Sequence, residues 1–361
     1  MIFLRPKQFN NPPFSRVFDP SRDNRAGMFY DGWMIALRKK LRRRGYELKT
    51  IDSADWETIC KAEIILFMGF HDDVYYRRCL DEGLRDKMVY FELEFPLAVK
   101  STEGGYASRQ YLDSFSKVLT WNKSLVEGKY SHTQILYMRR PNSWYRKPIK
   151  GVAFSDRGLI VSISTNKDAD IPEELYSERK RAIRFFQEHL PERFGLYGSG
   201  WDRSIGRYIK RKLGMKVNAS KRASSLSNGL ARLILGETDY SKCWRGWTDN
   251  VFETYADYRF ALIYECSSWL GAVSDKIFEC LQASCVPIYL GAPDISEIVP
   301  QECFVNKRNF TYEQLLDIMT TMPESVWQRY IDAGKAFLAT SDGKRNFEDD
   351  WAREFVEVML S

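Results

Sequence analysis

The chain has 361 residues, of which 44% are hydrophobic and 28% are charged, and it carries a formal net charge of +6. The length exceeds that of one ordinary domain and suits two, and the composition excludes a disordered or fibrous chain. No apolar run approaches the roughly 18 residues that a membrane-spanning helix needs, and residues 1–10 lack a signal-peptide pattern. We therefore expect a cytoplasmic protein with two domains and a cleft between them.

The cysteines and histidines argue against disulfides and metal sites. The seven cysteines are odd in number and lack CxxC spacing, so we expect buried free thiols. The histidines His71, His132 and His189 are far apart in sequence, which argues against a His-based metal site. The net charge of +6 fits a phosphate-bearing small molecule or an anionic surface and falls short of a strongly basic nucleic-acid binder.

The first part of the chain alternates between helix and strand patterns. A helix is predicted over residues 32–44, ending at Gly45. Strands are predicted at residues 47–51, 62–68, 88–91 and 117–121. This alternation predicts an α/β fold with a doubly wound sheet.

The pattern is interrupted once and then restarts. Residues 140–150 (RPNSWYRKPIK) are typical of a linker, so we predict an N-terminal domain of residues 1–150 and a C-terminal domain of residues 151–361. Strands are then predicted at residues 159–163, 195–197, 258–264, 286–290 and 303–306, with helices at 173–189, 274–283 and 312–320. Their order predicts a second parallel sheet. Residues 203–238 fit poorly and are interpreted as a basic insertion.

Residues 258–306 carry the clearest chemical pattern. A buried strand ends in a polar loop, the loop opens a helix at Ser274, and a second strand ends at Gly291. Ser274 is a good N-cap, and a helix start offers unpaired N–H groups and a positive dipole end beside Lys276. Ligands of open α/β sheets bind at the carboxyl ends of strands. The pattern indicates a diphosphate site, and an ordinary βαβ unit with Lys276 on its surface is the alternative.

The same segment resembles a known motif. Glu265 and Cys266 are followed by VSDK at residues 273–276, VPIYLGAP at 286–293 and CFVN at 303–306. These segments are similar to the donor-binding motif of the glycosyltransferase family 10 fucosyltransferases, in which FEN precedes YVTEK, a VPIYxG strand and a later strand. Further likeness lies at YGSGW (197–201) and CWRGWTDNVFE (243–253). Fainter likeness to bacterial members lies at RDN (22–24), KAEIILF (61–67) and YFELEFP (90–96).

The resemblance implies a fold, a reaction and a set of site residues. The fold is the GT-B arrangement of two facing Rossmann-like domains, with the acceptor mainly on the first domain and the nucleotide sugar on the second. The reaction is inverting transfer of fucose from GDP-fucose, with no metal or other cofactor required. Asp275 stands at a donor-contacting glutamate, Lys276 at a phosphate-binding lysine, and Arg179 at a phosphate-binding arginine. Bacterial relatives imply a hydroxyl of a cell-surface glycan or a lipopolysaccharide precursor as acceptor.

Three positions depart from the family pattern. Cys266 replaces an asparagine, Ala272 replaces a tyrosine that helps to hold the nucleotide, and Asp275 is one methylene shorter than glutamate. These changes bear on the identity of the sugar more than on the fold or the reaction type. GDP-fucose is therefore the first choice of donor, and a different nucleotide sugar on the same fold and mechanism is the alternative.

Inverting transfer needs a base for the acceptor proton and cations for the departing diphosphate. The segment YFELEFP offers Glu92 and Glu94 at the end of a buried strand, and their spacing of two residues sends both side chains to the same side. Glu94 fits the family's E-x-P pattern better and is predicted as the base, with Glu92 in reserve. The alternative is a solvated charge at the end of a strand.

Other patterns have ordinary interpretations. Asp168 and Asp170 have the spacing of a metal-binding DxD motif but are interpreted as solvated loop acids. The basic run at residues 38–45 is interpreted as a helix end, with contact to the inner face of a membrane as a further hypothesis. The rival classes are a non-catalytic glycan- or nucleotide-binding protein and a nucleic-acid binder. Tyr208 is the one aromatic residue of the basic insertion, so no nucleic-acid partner is expected.

Overall fold

The computed structural model describes residues 1–6, 13–20, 32–93, 95, 108–128, 133–201 and 239–361. These residues form two parallel sheets, one from each part of the chain. Helices cover both sheets, as the hydrophobic strands require. The α/β class and the two doubly wound sheets predicted from the sequence are therefore confirmed.

The first sheet contains strands from β1 to β6, which are Ile2–Arg5, Leu48–Thr50, Ile64–Met68, Met88–Glu92, Lys117–Thr120 and Gln134–Tyr137. They lie in the order β2-β1-β3-β4-β5-β6, with every neighbouring pair parallel. The helices α1 to α5 are Gly32–Arg43, Trp56–Cys60, Val74–Asp81, Arg109–Leu112 and Lys123–Val126. The sequence did not predict β1 and β6, each of which has four residues.

The second sheet contains strands from β7 to β11, which are Gly158–Ile163, Phe194–Tyr197, Tyr258–Tyr264, Val286–Leu290 and Val305–Asn306. Their order is β11-β10-β9-β7-β8, again parallel throughout. The helices α6 to α12 are Tyr176–His189, Val251–Ala256, Asp275–Gln282, Tyr312–Thr321, Glu324–Ala339, Ser341–Lys344 and Glu348–Leu360. The strand order reverses between β7 and β9, and such a switch point opens a crevice at the carboxyl ends of the strands.

The last helix, α12, packs against the first sheet. Trp351 is fully buried, with its ring 5.4 Å from that of Trp33 in α1 and 5.6 Å from that of Phe91 in β4. The sequence analysis assigned α12 to the second domain, and the contacts of α12 with the first sheet correct that assignment. The domain boundary near residue 150 stays a prediction. Two segments of chain therefore connect the domains, and they lie side by side, because Asn142 N donates to Asn346 O at 2.9 Å.

The carboxyl edges of the two sheets face each other. Phe95, after β4, and Trp121, after β5, pack against Ala272 in the loop between β9 and α8. Gly271 in this loop has a φ of +78°, and a Cβ atom there would lie 2.1 Å from the carbonyl oxygen of Trp121. Glycine is therefore needed for this close approach between the domains.

In the part of the chain that the structure covers, the helices are too short or too polar to cross a bilayer.

Candidate active site

The start of α8 forms the centre of the site on the second sheet. Ser274 is the N-cap, and its Oγ accepts hydrogen bonds from Lys276 N at 3.4 Å and from Lys276 Nζ at 3.2 Å. Ser274 N donates to Glu265 Oε1 at 2.8 Å, so the loop is tied back to the end of β9. The ammonium group of Lys276 thus lies beside the positive end of the helix dipole, an arrangement that an anionic ligand would stabilise.

Gly291, the first residue after β10, makes room for Glu265. A Cβ atom at position 291 would lie 2.5 Å from Glu265 Cγ and 2.3 Å from the Tyr289 hydroxyl oxygen. A larger residue would therefore displace Glu265 and break its hydrogen bond to Ser274. Glu265 is buried, and its Oε2 has no hydrogen-bond partner among the described residues. A buried oxygen of this kind costs free energy unless a donor meets it.

Arg179 lies in α6 behind the same strand end. Its Nη2 donates to the carbonyl oxygens of Tyr264 and, at 2.9 Å, of Glu265. Burial lowers the pKa of Arg179, yet a guanidinium stays protonated at neutral pH. Arg179 therefore fixes the end of β9 and adds positive charge near the loop that the sequence predicted to bind phosphate.

Cys266 and Asp275 lie beside this network. Burial raises the pKa of the Cys266 thiol, which is therefore uncharged at neutral pH, and its Sγ is 3.8 Å from Ser267 Oγ. Asp275 is half-buried and lines a cavity of about 50 Å³ together with Trp33 and Arg140 of the first part of the chain. The structure therefore brings Glu265, Ser274, Lys276 and Gly291 together, and turns Asp275 toward the space between the domains.

Glu92 ends β4 at the opposing edge, on the first sheet. It is fully buried, its Oε2 accepts a hydrogen bond from Thr120 Oγ1, and its Oε1 has no partner among the described residues. Burial raises the pKa of Glu92 to about 7, against the smaller opposing effect of the bond from Thr120. Glu94, the base predicted from the sequence, lies outside the described residues, as do residues 22–24 and the insertion at 203–238.

Sequence reasoning missed several side chains of this cleft. Glu279, one helical turn after Asp275, is buried, and burial raises its pKa well above the usual range. Its spacing of four residues from Asp275 was a usable signal. Thr120 ends the strand next to β4, so it also could have been found. The contact of Lys123 with Asp294 joins residues 171 positions apart, and no local pattern indicates it.

The structure bears on the thiols and on the DxD motif. All seven cysteines are free, as expected; Cys60 and Cys266 are half-buried and the others buried. Asp168 forms an ion pair with Lys180 on α6. Across the described ranges, no cluster of three or more His, Cys, Asp or Glu side chains is arranged to hold a metal ion.

Two parallel α/β sheets with facing carboxyl edges, and a helix start with a lysine at one of them, form the GT-B arrangement. The fold is similar to that of an alpha1,3-fucosyltransferase with GDP, with a TM-score of 0.53 and 13% identity over 100% of this chain and 90% of that one. It is also similar to Anabaena HepE in complex with UDP and glucose (TM-score 0.52, 12% identity, 99% and 98% coverage). A UDP-forming trehalose-phosphate synthase from Burkholderia xenovorans is similar with a TM-score of 0.50 and 10% identity, over 92% of this chain and 78% of that one.

Within that class, residues 215–340 match the model of the C-terminal domain of glycosyltransferase family 10 (fucosyltransferase). The matched range contains Glu265, Ser274, Lys276 and Gly291. The resemblance to family 10 stated from the sequence is thereby confirmed, and the protein is a fucosyltransferase-like glycosyltransferase. A comparison with curated proteins gives no significant match.

Proposed function

We propose that the protein transfers fucose from GDP-fucose, with inversion, to a hydroxyl of a cell-surface glycan or lipopolysaccharide precursor. The observation that carries the proposal is the start of α8, where Glu265 and Ser274 fix the loop and Lys276 adds a cation with no ion-pair partner among the described residues. A helix N-terminus beside such a lysine suits a nucleoside diphosphate. The similar alpha1,3-fucosyltransferase has a structure with GDP-fucose, which supports this donor.

In the proposed reaction the donor diphosphate lies at the start of α8. The acceptor oxygen attacks the anomeric carbon while a carboxylate takes its proton, the bond to the diphosphate breaks, and GDP leaves from the opposite face. Lys276 and the N–H groups of the helix start offset the charge that develops on GDP, and Arg179 adds to the positive field. A single displacement of this kind inverts the anomeric configuration.

Glu94 is the first candidate for the base, and Glu92 is the second. The pKa of Glu92 near 7 suits a general base at neutral pH. Its complete burial requires that the acceptor reach it through a neighbouring group or after a local movement. Glu94 follows two residues later in the chain. At that spacing along a strand, both carboxyl groups would point to the same side and so toward the same cleft.

The proposed reaction requires no metal, because Lys276, Arg179 and the helix start supply the positive charge. Turnover should therefore persist in excess EDTA. Complete loss of activity, restored by manganese or magnesium, would instead assign Asp168 and Asp170 as ligands.

Titration of the protein with GDP, GDP-fucose, UDP and CMP, with the melting temperature as readout, tests the donor. A ligand that binds the native state raises the melting temperature, so GDP and GDP-fucose should give the largest increase. Hydrolysis of GDP-fucose without acceptor, followed as release of GDP, gives the matching catalytic readout. A larger increase with UDP would favour the alternative donor, which the departures at Cys266 and Ala272 leave open.

We further propose that the basic end of α1 contacts the inner face of an anionic membrane, where the acceptor precursors would lie. Five cationic residues at this end of α1 and directly after it are exposed to solvent: Arg38, Lys39, Arg42, Arg43 and Arg44. Each cation near such a surface contributes about 1 kcal/mol. Co-sedimentation with vesicles that contain phosphatidylglycerol should exceed that with phosphatidylcholine vesicles and should fall with salt. Equal sedimentation with both would exclude the contact.

A further inference from the structure

Trp247 is the most exposed of the ten tryptophans, at 67%, whereas Trp144, the next most exposed, stands at 42%. A tryptophan in this state leaves a large apolar face in water, and such faces are used for binding. Trp247 takes no part in the hydrophobic clusters of the described residues. Its ring is therefore available to a ligand and has no role in the core.

The backbone on both sides of Trp247 is held in place. Gly198 N donates to Gly246 O at 2.8 Å, and the indole of Trp244 donates to Gly198 O at 3.0 Å. On the other side, Thr248 Oγ1 is 2.5 Å from Thr254 Oγ1 in α7. The exposed ring is thus mounted on a fixed loop, which reduces the entropy lost when a ligand stacks on it.

This loop lies at the carboxyl edge of the second sheet. Trp244 pairs in parallel with Leu196 of β8, so the residues before Trp247 extend the sheet by one position beyond β8. Arg245 N donates to Leu196 O at 2.8 Å and Leu196 N to Cys243 O at 2.9 Å, which continues the ladder. Trp247 follows the end of this added segment, on the same edge as the ends of β7 and β9.

The register places the segment before Trp247 relative to β9. Leu196 pairs with Ser162, and Val161 pairs with Ala261, so Trp244 is level with the next residue of β9, Leu262. Trp247 follows three residues later, after Gly246 with a φ of +94°, where the extended backbone ends. Three strand spacings separate the added segment from β9 across the sheet, or about 14 Å. A nucleoside diphosphate whose phosphates lie at Ser274 extends over a comparable length.

We propose that Trp247 is the stacking platform for the nucleobase of the donor, an inference that rests on the proposed function. The first part of the chain contacts Gly271 and Asp294, in the loops after β9 and β10, through Trp121 and Lys123, whereas Trp247 lies beyond β8 on the other side of β9. A ligand ring that stacks on the indole of Trp247 therefore belongs to the ligand that the second sheet binds, which is the donor. Every base has a π face, so the platform supplies affinity rather than a choice between guanine and uracil.

Calorimetric titration of wild type, Trp247→Ala and Trp247→Phe with GDP and with inorganic pyrophosphate tests this. Loss of base stacking should raise the Kd for GDP in Trp247→Ala about 5- to 100-fold. The Kd for pyrophosphate, which lacks a base, should stay within about twofold of wild type, and Trp247→Phe should retain most of the affinity for GDP. Trp144→Ala is the matched control, because Trp144 is partly exposed but packs on Phe347 between the domains, with ring centroids 4.8 Å apart.

The outcomes separate this inference from the function on which it rests. Unchanged affinity of Trp247→Ala for GDP, or equal weakening of GDP and pyrophosphate, would overturn the stacking role alone. A wild-type protein that binds neither GDP nor UDP would overturn the proposed function and the platform together. Because a weakly folded Trp247→Ala would confuse the result, quenching of tryptophan fluorescence by GDP gives a second measure, and it should be smaller in Trp247→Phe than in wild type.

Discussion

Lys123 Nζ lies 2.5 Å from Asp294 Oδ2 and so joins the start of α5 to the loop after β10. Asp294 is nearly buried, and its Oδ1 accepts a hydrogen bond from Gly271 N at 2.9 Å. The carboxylate of Asp294 thereby links its own loop after β10 to the loop after β9, through Gly271, and to the first sheet, through Lys123. The contact fixes how closely the two halves of the cleft approach.

Replacing Lys123 by alanine should destabilise the closed arrangement, because it leaves Asp294 with an unmatched charge in a poorly solvated place. We expect a loss of about 1 to 3 kcal/mol in the free energy of unfolding, measured by urea titration. Glu297→Gln is the control, since Glu297 also contacts Lys123, at 2.7 Å, but is 69% exposed, and should cost less than about 0.5 kcal/mol. A larger effect at Glu297 than at Lys123 would contradict this account.

Lys276→Ala should weaken donor binding and turnover together, because the lysine meets the diphosphate in both the ground state and the transition state. The expected measurement is a rise in KM for GDP-fucose with a fall in kcat. Lys335→Ala is the matched control and should behave as wild type. Lys335 is an exposed lysine on α10, in the same domain as Lys276. Unchanged kinetics in Lys276→Ala would remove Lys276 from the site.

Glu94→Gln should retain the fold and GDP binding, because it removes only a charge, while transfer falls by about 10²- to 10⁴-fold. The same exchange at Glu92 should reduce transfer much less. Rates of transfer and Kd for GDP, measured on both variants, separate the two roles. Near-native turnover in Glu94→Gln with loss in Glu92→Gln would exchange the assignments, and activity in both would place the base elsewhere.

The buried Glu92 should also make stability depend on pH. Its pKa is raised from 4.5 to about 7, so between these values the unfolded chain releases the proton that the folded protein keeps. The free energy of unfolding should therefore fall as pH rises from about 4.5 to 7, by at most about 3 kcal/mol, and the slope should end above 7.

Glu92→Gln removes this titration and is the direct comparison. Denaturant titrations at pH 5 and pH 8 should show the variant gaining stability relative to wild type at the higher pH. An identical pH dependence in both proteins would mean that Glu92 is ionised at little cost in the folded state.

Sequence reasoning recovered the parts of the molecule that depend on local pattern. Residues 258–264 and 286–290 were predicted with the bounds that the structure gives, because each is a largely apolar run between turn signals. Ser274 was identified as an N-cap from its position before an apolar helix. The same reasoning could not find the pairing of Lys123 with Asp294, or the position of Trp351 against the first sheet. Both depend on how distant segments pack, which no periodicity of 2 or 3.6 residues records.

The return of α12 to the first sheet has a consequence for motion. The chain crosses between the domains twice, and Asn142 and Asn346 bond these crossings to each other. Because the paired crossings lie on one line, we expect movement between the two halves to be rotation about that line rather than shear. Such a rotation would displace the margin farthest from the crossings most, and one angle would set the width of the cleft there.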